Sequence, residues 1–384
     1  MIDSLTLENF KCFEKLRLET APLTLLTGFN AAGKSTTLQT LLLLCQTIRG
    51  QRGISELRMN GPLVALGTPG DLIRNNGDGN RVALGIATAD AELLWHFAVP
   101  EDNRRSLRVV QLEARTEEGG RIITAPDLDG IRPLVPEKPV QRAIDLLGSV
   151  VYLSAARQVE TEVFPVPQEM DGSTGDVGPI GQFAAWWLHQ EGDSKVALDR
   201  CCKSAPSTST LRHQVNAWAS NLFPNAEINA VPLLRTSLMR LELRSGPTSD
   251  WSRPANVGYG ISYAFPILVA GLCVCSGQPV IVDSPEAHLH PRAQSGIGGF
   301  LAQMAAAGTQ ILVESHSDHV LNGIRIAVRE GVIDPAKVAI YFFASRPDAQ
   351  VTRLALDRNG TVSNWPEGFF DQSEKDLANL AGWA

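Results

Sequence analysis

The stretch GFNAAGKST, residues 28–36, fits the phosphate-loop pattern GxxxxGK[ST] in full. The glycines of this pattern let backbone N–H groups turn inward and surround phosphate oxygens. Lys34 is expected to reach the β- and γ-phosphates as a point charge, and the Ser35 hydroxyl is expected to be a Mg²⁺ ligand. We predict that ATP is bound by Gly28, Asn30, Ala31, Ala32, Gly33, Lys34, Ser35 and Thr36.

The residues on either side of this loop have the pattern that a phosphate loop requires. Residues 22–27 form a short apolar run, typical of a buried strand, that leads directly into the loop. Residues 34–49 place apolar side chains at 38, 41, 42 and 45, the spacing of one helix face. A helix that begins beside the lysine turns its positive dipole end toward a phosphate. These flanks favour a phosphate-binding loop over a glycine-rich loop with no ligand.

A second apolar strand, residues 280–283, ends in a carboxylate. In phosphate-loop proteins such a strand delivers one acidic side chain beside the phosphates, where it holds Mg²⁺ directly or through water. We predict that role for Asp283, and the alternative is that it caps the following helix. Residues 310–314 form another short buried strand that also ends in a carboxylate.

Two further side chains are candidates for hydrolysis. Glu286 follows the second strand in the sequence SPEAHLHP, where a carboxylate can polarise an attacking water; the alternative is an N-cap or an acid in the first turn of a helix. His316 follows the strand of residues 310–314, where an imidazole can contact the γ-phosphate or the water, and the alternative is a histidine on a surface loop. The predicted catalytic residues are therefore Glu286, His316 and Asp283, and the predicted metal ligands are Ser35 and Asp283.

A glycine-rich corner precedes the most apolar segment of the chain. The sequence NVGYGIS, residues 256–262, offers two glycines and a serine at the start of a predicted buried helix. We predict that Gly258, Gly260 and Ser262 form a second anion-binding corner. The alternative is a plain turn at a helix start.

Composition limits the classes of function. The 384 residues carry a formal net charge of −7, which argues against a protein that coats nucleic acid along a broad face. Six scattered cysteines show no zinc-site spacing and predict a reducing compartment. The first residues are strand-like rather than a signal peptide, and the apolar run of residues 261–275 is too short to span a bilayer. We therefore expect a cytoplasmic location and no membrane segment.

The pattern along the chain predicts an α/β protein with three parts. Residues 1–160 are expected to hold the phosphate loop and a β-rich subdomain over 60–125, with a strong turn at 75–80. Residues 161–250 are predicted to form a helical lobe, helical mostly over 182–221, with Trp186, Trp187 and Trp218 as core or interface aromatics. Residues 251–384 are expected to carry the second strand, the histidine and the C-terminal strands.

The order of these motifs resembles the RecF/OLD-like branch of ABC ATPases, which are relatives of SMC heads without long coiled-coil arms. The resemblance rests on LTLENFKCF at 5–13, the phosphate loop, the corner at 258–262, DSPEAHLHP at 283–291 and ESHS at 314–317. The ending over 341–372 resembles a bacterial subgroup whose C-terminal domain is named only as one of unknown function. The implied fold is an ABC-type head with a mixed β-sheet core, an antiparallel β subdomain and a helical lobe.

The resemblance also implies a mechanism. Gly258, Gly260 and Ser262 would form the signature that contacts ATP held by a second copy, residues 290–292 the dimer-facing loop, and His316 the switch histidine. Two heads would then sandwich Mg-ATP head-to-tail, and hydrolysis would release them. Similar bacterial proteins serve anti-phage defence or DNA repair, so a separate nuclease or effector chain is an expected partner, and DNA is a possible one.

One position departs from the family pattern. ABC proteins usually carry glutamate directly after the strand acid, and this chain has Ser284, which has no basicity to act as a general base. Two hypotheses follow. Either Glu286 replaces the missing glutamate in an ATPase, or turnover is slow and the protein is an ATP-gated switch or scaffold for a nuclease or toxin. No Q-loop is assigned, although residues 67–71 lie where one is expected.

Overall fold

The computed structural model describes residues 1–74, 79–157, 162–168, 174–205, 208–344 and 350–382. In chain order the strands are β1 (Ser4–Phe10), β2 (Phe13–Glu19), β3 (Leu23–Gly28), β4 (Arg81–Ala87), β5 (Ala91–Ala98), β6 (Arg108–Thr116), β7 (Gly119–Thr124), β8 (Leu128–Asp129), β9 (Arg132–Pro133), β10 (Val151–Leu153), β11 (Val163–Pro165), β12 (Glu227–Pro232), β13 (Leu238–Arg244), β14 (Pro279–Asp283), β15 (Gln310–Glu314), β16 (Val338–Phe343) and β17 (Val351–Leu354). The helices are α1 (Lys34–Ile48), α2 (Pro69–Leu72), α3 (Lys138–Gly148), α4 (Ala184–Gln190), α5 (Leu211–Leu222), α6 (Pro254–Val257), α7 (Tyr259–Cys273), α8 (Pro291–Ala306), α9 (Asp318–Arg329) and α10 (Gln372–Leu380).

A six-stranded sheet forms the centre of the molecule, with the strand order β10-β14-β15-β3-β16-β17. All of its neighbouring strands run parallel except β17, which pairs antiparallel with β16. The apolar runs predicted from the sequence as strands therefore lie side by side. Parallel strands bury both faces, which is why these segments are continuously apolar rather than alternating.

Side chains of the central strands alternate between two hydrophobic cores. Leu25 and Val282 point into one core with α7, α8 and α9, while Leu26 and Ile281 point into the other with α1 and α3. Successive side chains of a strand face opposite sides of a sheet, so each strand contributes to both cores. The central sheet is thus covered by helices on both faces.

A second six-stranded sheet packs over α1, with the order β2-β1-β4-β5-β6-β7 and antiparallel pairing throughout. Its inward side chains, such as Trp95 and Phe97, are fully buried in the α1 core. This confirms the predicted antiparallel β subdomain. Residues 75–78 of the predicted turn at 75–80 lie outside the described residues.

Residues 162–250 combine helices with a sheet that the prediction of a helical lobe did not include. Strands β11, β13 and β12 form a three-stranded antiparallel sheet, and the predicted helical stretch is divided into α4 and α5. The sheet arises because β12 and β13 alternate buried and less buried residues, the pattern of a half-buried strand. Trp187 and Trp218 are buried in the core shared with α7 and α8. The boundaries near residues 160 and 250 stay predictions.

The apolar segment before the second strand forms α7, and its residues 261–272 are all buried, as the sequence predicts. No helix in the described part of the chain combines the length and apolarity needed to cross a membrane.

Candidate nucleotide-binding site

The predicted phosphate loop connects β3 to α1, so the strand, loop and helix have the predicted order. Gly28 and Gly33 have φ angles of 129° and 107°, in the region that favours glycine. A Cβ on Gly28 would lie 2.2 Å from the Phe343 carbonyl oxygen of β16, and one on Gly33 would lie 2.4 Å from the Phe13 ring. Glycine is therefore required at both ends of the loop by close neighbours as well as by its dihedral angles.

Lys34 is the first residue of α1 and is buried. Its Nζ donates hydrogen bonds to the carbonyl oxygens of Gly28 at 3.1 Å and Phe29 at 2.7 Å. Burial lowers the pKa of the Lys34 ammonium, while the nearby carboxylates of Glu314 and Asp283 act in the opposite direction. The Lys34 ammonium thus contacts the backbone of the loop that is predicted to bind phosphate.

The other loop residues differ in exposure. Asn30, Ala31 and Ser35 are exposed, Thr36 is half-buried and Ala32 is buried. Ala31 has a φ of 58°, which alanine rarely adopts. This bend continues the chain from β3 toward the helix N-terminus, where the Lys34 and Ser35 amides are among those that a helix leaves unpaired.

The two strands that end in carboxylates are neighbours. Residue Asp283 of β14 pairs in register with Glu314 of β15, and Glu314 in turn pairs with Leu26 of β3. Because the carboxyl ends of parallel strands meet at one edge of a sheet, both acids lie beside the phosphate loop. The Ser35 hydroxyl donates a hydrogen bond to Glu314 Oε1 at 2.9 Å, which joins loop and strand directly.

Glu314 is a site residue that the sequence analysis did not assign. Its side chain is buried, and its Oε2 is without a hydrogen-bond partner among the described residues. Burial, with a contribution from the Asp283 charge, raises the pKa of Glu314 to about 7, although Ser35 and Lys34 oppose the shift. The available signal was the carboxylate that ends the strand of residues 310–314, the same signal that identified Asp283.

The loop after β14 is fixed by a buried arginine. Arg157 donates to the carbonyl oxygens of Asp283 at 2.9 Å and Ser284 at 2.6 Å, and its guanidinium lies 5.2 Å from the centre of the Tyr263 ring. Burial lowers the pKa of Arg157 to about 10. The Ser284 hydroxyl donates to Asp283 Oδ1 at 2.8 Å. The serine that stands in place of the usual glutamate is therefore engaged with the strand acid.

Glu286 joins this loop to the loop after β15. Its Oε2 accepts from the Ser315 hydroxyl at 2.8 Å, and its Oε1 accepts from the His316 backbone N–H at 2.7 Å. Both carboxylate oxygens are thus engaged in positioning the segment that carries the histidine.

His316 lies beside the start of the phosphate loop. With Gly28 and Phe29 it lines an open pocket of about 380 Å³, to which the C-terminal segment contributes residues 367–372 and 375. Burial, then the Lys34 charge, lower the pKa of the His316 imidazole, against Glu286 and Asp283. The ring is therefore neutral near pH 7 and can accept as well as donate a hydrogen bond.

The predicted glycine corner lies apart from the loop of its own chain. Gly258 is the N-cap of α7 with a φ of 94° and is exposed, Gly260 packs near Phe223 and His288, and Ser262 is buried inside the helix. Within the described ranges no hydrogen bond joins these three residues to the phosphate loop. The structure thus brings together the loop, Asp283, Glu286 and His316, but not the corner.

The residues at the carboxyl edge fit a hard cation. Asp283 and Glu314 lie beside the buried Lys34, and Glu314 keeps a buried oxygen without a hydrogen-bond partner among the described residues. Among the described residues no group of three or more His, Cys, Asp or Glu side chains is arranged as a complete metal site. Mg²⁺ suits this arrangement, because it is usually held by one or two carboxylates together with substrate phosphates and water.

In metal-free buffer at pH 8 we expect the Glu314→Gln variant to be more stable than the wild type. The folded pKa of about 7 lies above the ordinary value of 4.5, so the folded protein holds the proton more tightly. The stability that the protonated Glu314 gives to the folded wild type is fully present below pH 4.5 and is lost as the pH rises through 7. The advantage of the variant is expected to reach the order of 2 kcal/mol at pH 8. Urea unfolding in EDTA at pH 5 and pH 8 measures it, and a difference that does not grow with pH contradicts it.

Two family matches cover parts of the chain. Residues 207–322 match the family described as "AAA domain, putative AbiEii toxin, Type IV TA system", and residues 333–380 match "Protein of unknown function (DUF3696)". The first segment contains the glycine corner, Asp283, Glu286, Glu314 and His316. The first match, to an AAA domain, agrees with the predicted resemblance to an ATPase over this segment, and the second match agrees with the predicted C-terminal domain of unknown function.

Solved structures of SMC heads resemble the chain at low identity. The SmcHead bound to the C-winged helix domain of ScpA is 13% identical, with 93% of this chain and 98% of that chain covered and a TM-score of 0.49. The SMC head domain from Thermotoga maritima is 12% identical, with 93% and 99% covered and a TM-score of 0.40. The Smc head with an extended coiled coil, bound to the C-terminal domain of ScpA derived from Pyrococcus furiosus, is 13% identical, with 99% of both chains covered and a TM-score of 0.48. No curated protein sequence matches the chain.

Proposed function

We propose that this protein binds Mg-ATP at the phosphate loop and hydrolyses it to ADP and phosphate. The observation that carries the proposal is the contact between the Ser35 hydroxyl of the loop and Glu314 at the end of β15, in register with Asp283 of β14. A loop lysine, a loop hydroxyl and strand carboxylates at one edge are the parts that position a triphosphate and its cation.

Binding of the triphosphate is assigned to the loop and the start of α1. Backbone N–H groups of residues 30–33 and the N-terminus of α1 attract the phosphate oxygens. Lys34 exchanges the carbonyl oxygens of Gly28 and Phe29 for phosphate oxygens. Ser35 and Asp283 are the proposed ligands of Mg²⁺, which would neutralise charge on the β- and γ-phosphates.

Hydrolysis is assigned to the two loops joined by Glu286. His316 stands beside the loop with a lowered pKa, so its neutral ring can hold the attacking water or contact the γ-phosphate. Glu286 fixes the backbone of that segment through the His316 N–H, and its carboxylate is the proposed replacement for the glutamate missing at Ser284.

The proposed active form is a head-to-tail dimer around ATP. Gly258 is exposed at the N-terminus of α7, Gly260 is half-buried and Ser262 is buried, and within the described residues none of the three is hydrogen-bonded to the loop of its own chain. A second copy can bring Gly258, Gly260 and Ser262 to the γ-phosphate, where the helix dipole favours negative charge. Residues 290–292, which the family resemblance places at this interface, are the N-cap and the first two residues of α8.

Sedimentation velocity tests the dimer. We expect the wild type with Mg-ATP to sediment as a dimer, and the expected control, Lys34→Ala with Mg-ATP, to sediment as a monomer because its loop cannot hold the nucleotide. A wild type that stays monomeric in saturating Mg-ATP, at protein concentrations well above those in a cell, contradicts the proposal.

The second candidate function is an ATP-gated switch with little turnover. The observation that favours it is Ser284, whose hydroxyl is bound to Asp283 and supplies no base. Such a switch would bind ATP and dimerise yet release almost no phosphate, so binding and phosphate release measured on the same sample separate the two candidates.

The biological role is proposed from the family resemblance. We place the protein in the cytoplasm, in anti-phage defence or DNA repair, with a separate nuclease or toxin as its partner. The net charge of −7 does not favour broad DNA binding. Retention on duplex DNA at increasing salt, with and without ATP, tests for a local basic groove, because phosphate contacts weaken steeply with salt.

A further inference from the structure

Glu314 is the carboxylate in contact with the loop hydroxyl, and the binding and hydrolysis steps proposed above give it no individual role at the cation. Its side chain is 5% exposed at the end of β15, and its Oε1 accepts from Ser35. Its Oε2 is buried without a partner among the residues that the structure describes. A buried carboxylate oxygen without a partner is costly, and it is normally compensated by a donor, a proton or a cation.

The distance between Ser35 and Glu314 matches a pair of metal ligands. Two oxygens bound side by side in a Mg²⁺ octahedron, each about 2.0–2.1 Å from the ion, lie about 2.9 Å apart. The Ser35 Oγ and Glu314 Oε1 atoms are 2.9 Å apart. The two oxygens thus have the separation of two adjacent ligands before any ion is present.

The position of Asp283 supports the same site. Asp283 is the register partner of Glu314 on the adjacent strand, and neighbouring strands lie about 4.8 Å apart. One oxygen of Asp283 is engaged by the Ser284 hydroxyl. Glu314 lies between Asp283 and the phosphate loop because β15 separates β14 from β3 in the sheet.

We propose that Glu314 is a direct ligand of the Mg²⁺ that accompanies ATP, adjacent to Ser35 in the coordination shell. The proposal rests on the proposed function, since it assumes that Mg-ATP binds at this loop. Glu314 then supplies a carboxylate ligand to the metal. The position directly after Asp283, where ABC proteins usually carry glutamate, is the uncharged Ser284 in this chain. Ser35, Glu314, Asp283 and the nucleotide phosphates then share the binding of the cation.

The test separates metal binding from nucleotide binding. The affinity for a fluorescent ATP analogue is measured in EDTA and in saturating Mg²⁺, for the wild type, Glu314→Gln and the exposed control Glu117→Gln. The ratio of the two affinities is the coupling between metal and nucleotide. We expect Glu314→Gln to reduce this ratio at least about tenfold, with an affinity in EDTA that is equal to or higher than that of the wild type because a negative charge near the phosphates is removed. The Glu117→Gln ratio should equal that of the wild type.

Two further variants protect the test against misfolding. Glu314→Asp keeps the negative charge but withdraws it by one methylene, so its coupling ratio should fall between those of the wild type and Glu314→Gln. Glu314→Gln combined with Ser35→Ala should reduce the ratio by less than the product of the single effects, because both residues act on one ion.

The results that overturn the proposal are specific. An unchanged coupling ratio in Glu314→Gln rules out a metal ligand. An equal loss of affinity in EDTA and in Mg²⁺ assigns Glu314 a structural role instead. If the wild type binds the ATP analogue in neither buffer, the proposed function itself fails, and this outcome is distinct from the other two.

Discussion

Replacing Lys34 by alanine is expected to lower the affinity for Mg-ATP at least about 100-fold, because a buried charged group that pairs with a ligand is worth several kcal/mol and every 1.4 kcal/mol is tenfold. The Lys34 ammonium is buried, bound to the Gly28 and Phe29 carbonyls and flanked by Glu314 and Asp283. Without the Lys34 ammonium, the negative charges of Glu314 and Asp283 beside the triphosphate would no longer be offset by a buried positive charge on α1. Titration with a fluorescent ATP analogue measures the effect.

The matched control for this prediction is Lys15→Ala. Lys15 lies in β2 on the antiparallel sheet, where its side chain is 72% exposed and pairs with Glu8. Its removal should leave the ATP affinity within about twofold, since exposed ion pairs contribute little. An affinity of folded Lys34→Ala within threefold of the wild type would refute the assigned nucleotide site.

Replacing Glu286 by glutamine is expected to lower kcat about 100-fold or more, with the ATP affinity within about threefold. Both carboxylate oxygens accept hydrogen bonds, from the Ser315 hydroxyl and the His316 N–H. A glutamine can still accept from the His316 N–H and can donate its NH₂ to the Ser315 hydroxyl, which can act as an acceptor, so the variant removes the negative charge and basicity of Glu286 while both neighbours keep a possible partner. Phosphate release at saturating Mg-ATP gives kcat, and the analogue titration gives the affinity.

The pH dependence separates two roles for Glu286. If its carboxylate takes part in proton transfer, the acid side of the pH–rate profile disappears in Glu286→Gln. If it only positions the His316 segment, the profile keeps its shape at a lower rate. A kcat within twofold of the wild type removes Glu286 from the catalytic assignment altogether, and Glu117→Gln is the control for the same change at an exposed site.

The parts of the site that could be predicted from the sequence are those encoded locally. The phosphate loop follows directly from the strand, glycines and helix of residues 22–49, and α1 forms where predicted. Asp283 follows from a short apolar run that ends in an acid. In both cases the residues that define the element are adjacent in the chain, so no knowledge of strand order is needed.

Glu314 could not be assigned because its role depends on pairing between distant segments. The insertion of β15 between β14 and β3 brings residue 314 to Ser35, which lies 279 residues away in sequence. The same holds for Arg157, whose contacts to the carbonyls after β14 cross 126 residues. The sequence identifies a carboxylate at a strand end, but the order of strands decides which carboxylate touches the loop.

The lobe of residues 162–250 shows the same limit in the fold. Helical spacing predicts α4 and α5, yet the three-stranded sheet requires β11 to pair with β13, about 75 residues later in the chain. The glycine corner is a different case, because its predicted partner is a second copy of the chain. Its ligand role stays a prediction.

The most direct measurement is steady-state phosphate release from ATP by the purified wild type, with Mg²⁺ and in EDTA. We predict Mg²⁺-dependent release that Lys34→Ala abolishes and Glu286→Gln reduces about 100-fold. Release that is absent from a wild type that binds Mg-ATP through Lys34 would contradict hydrolysis and leave the ATP-gated switch, with Ser284 as its structural reason.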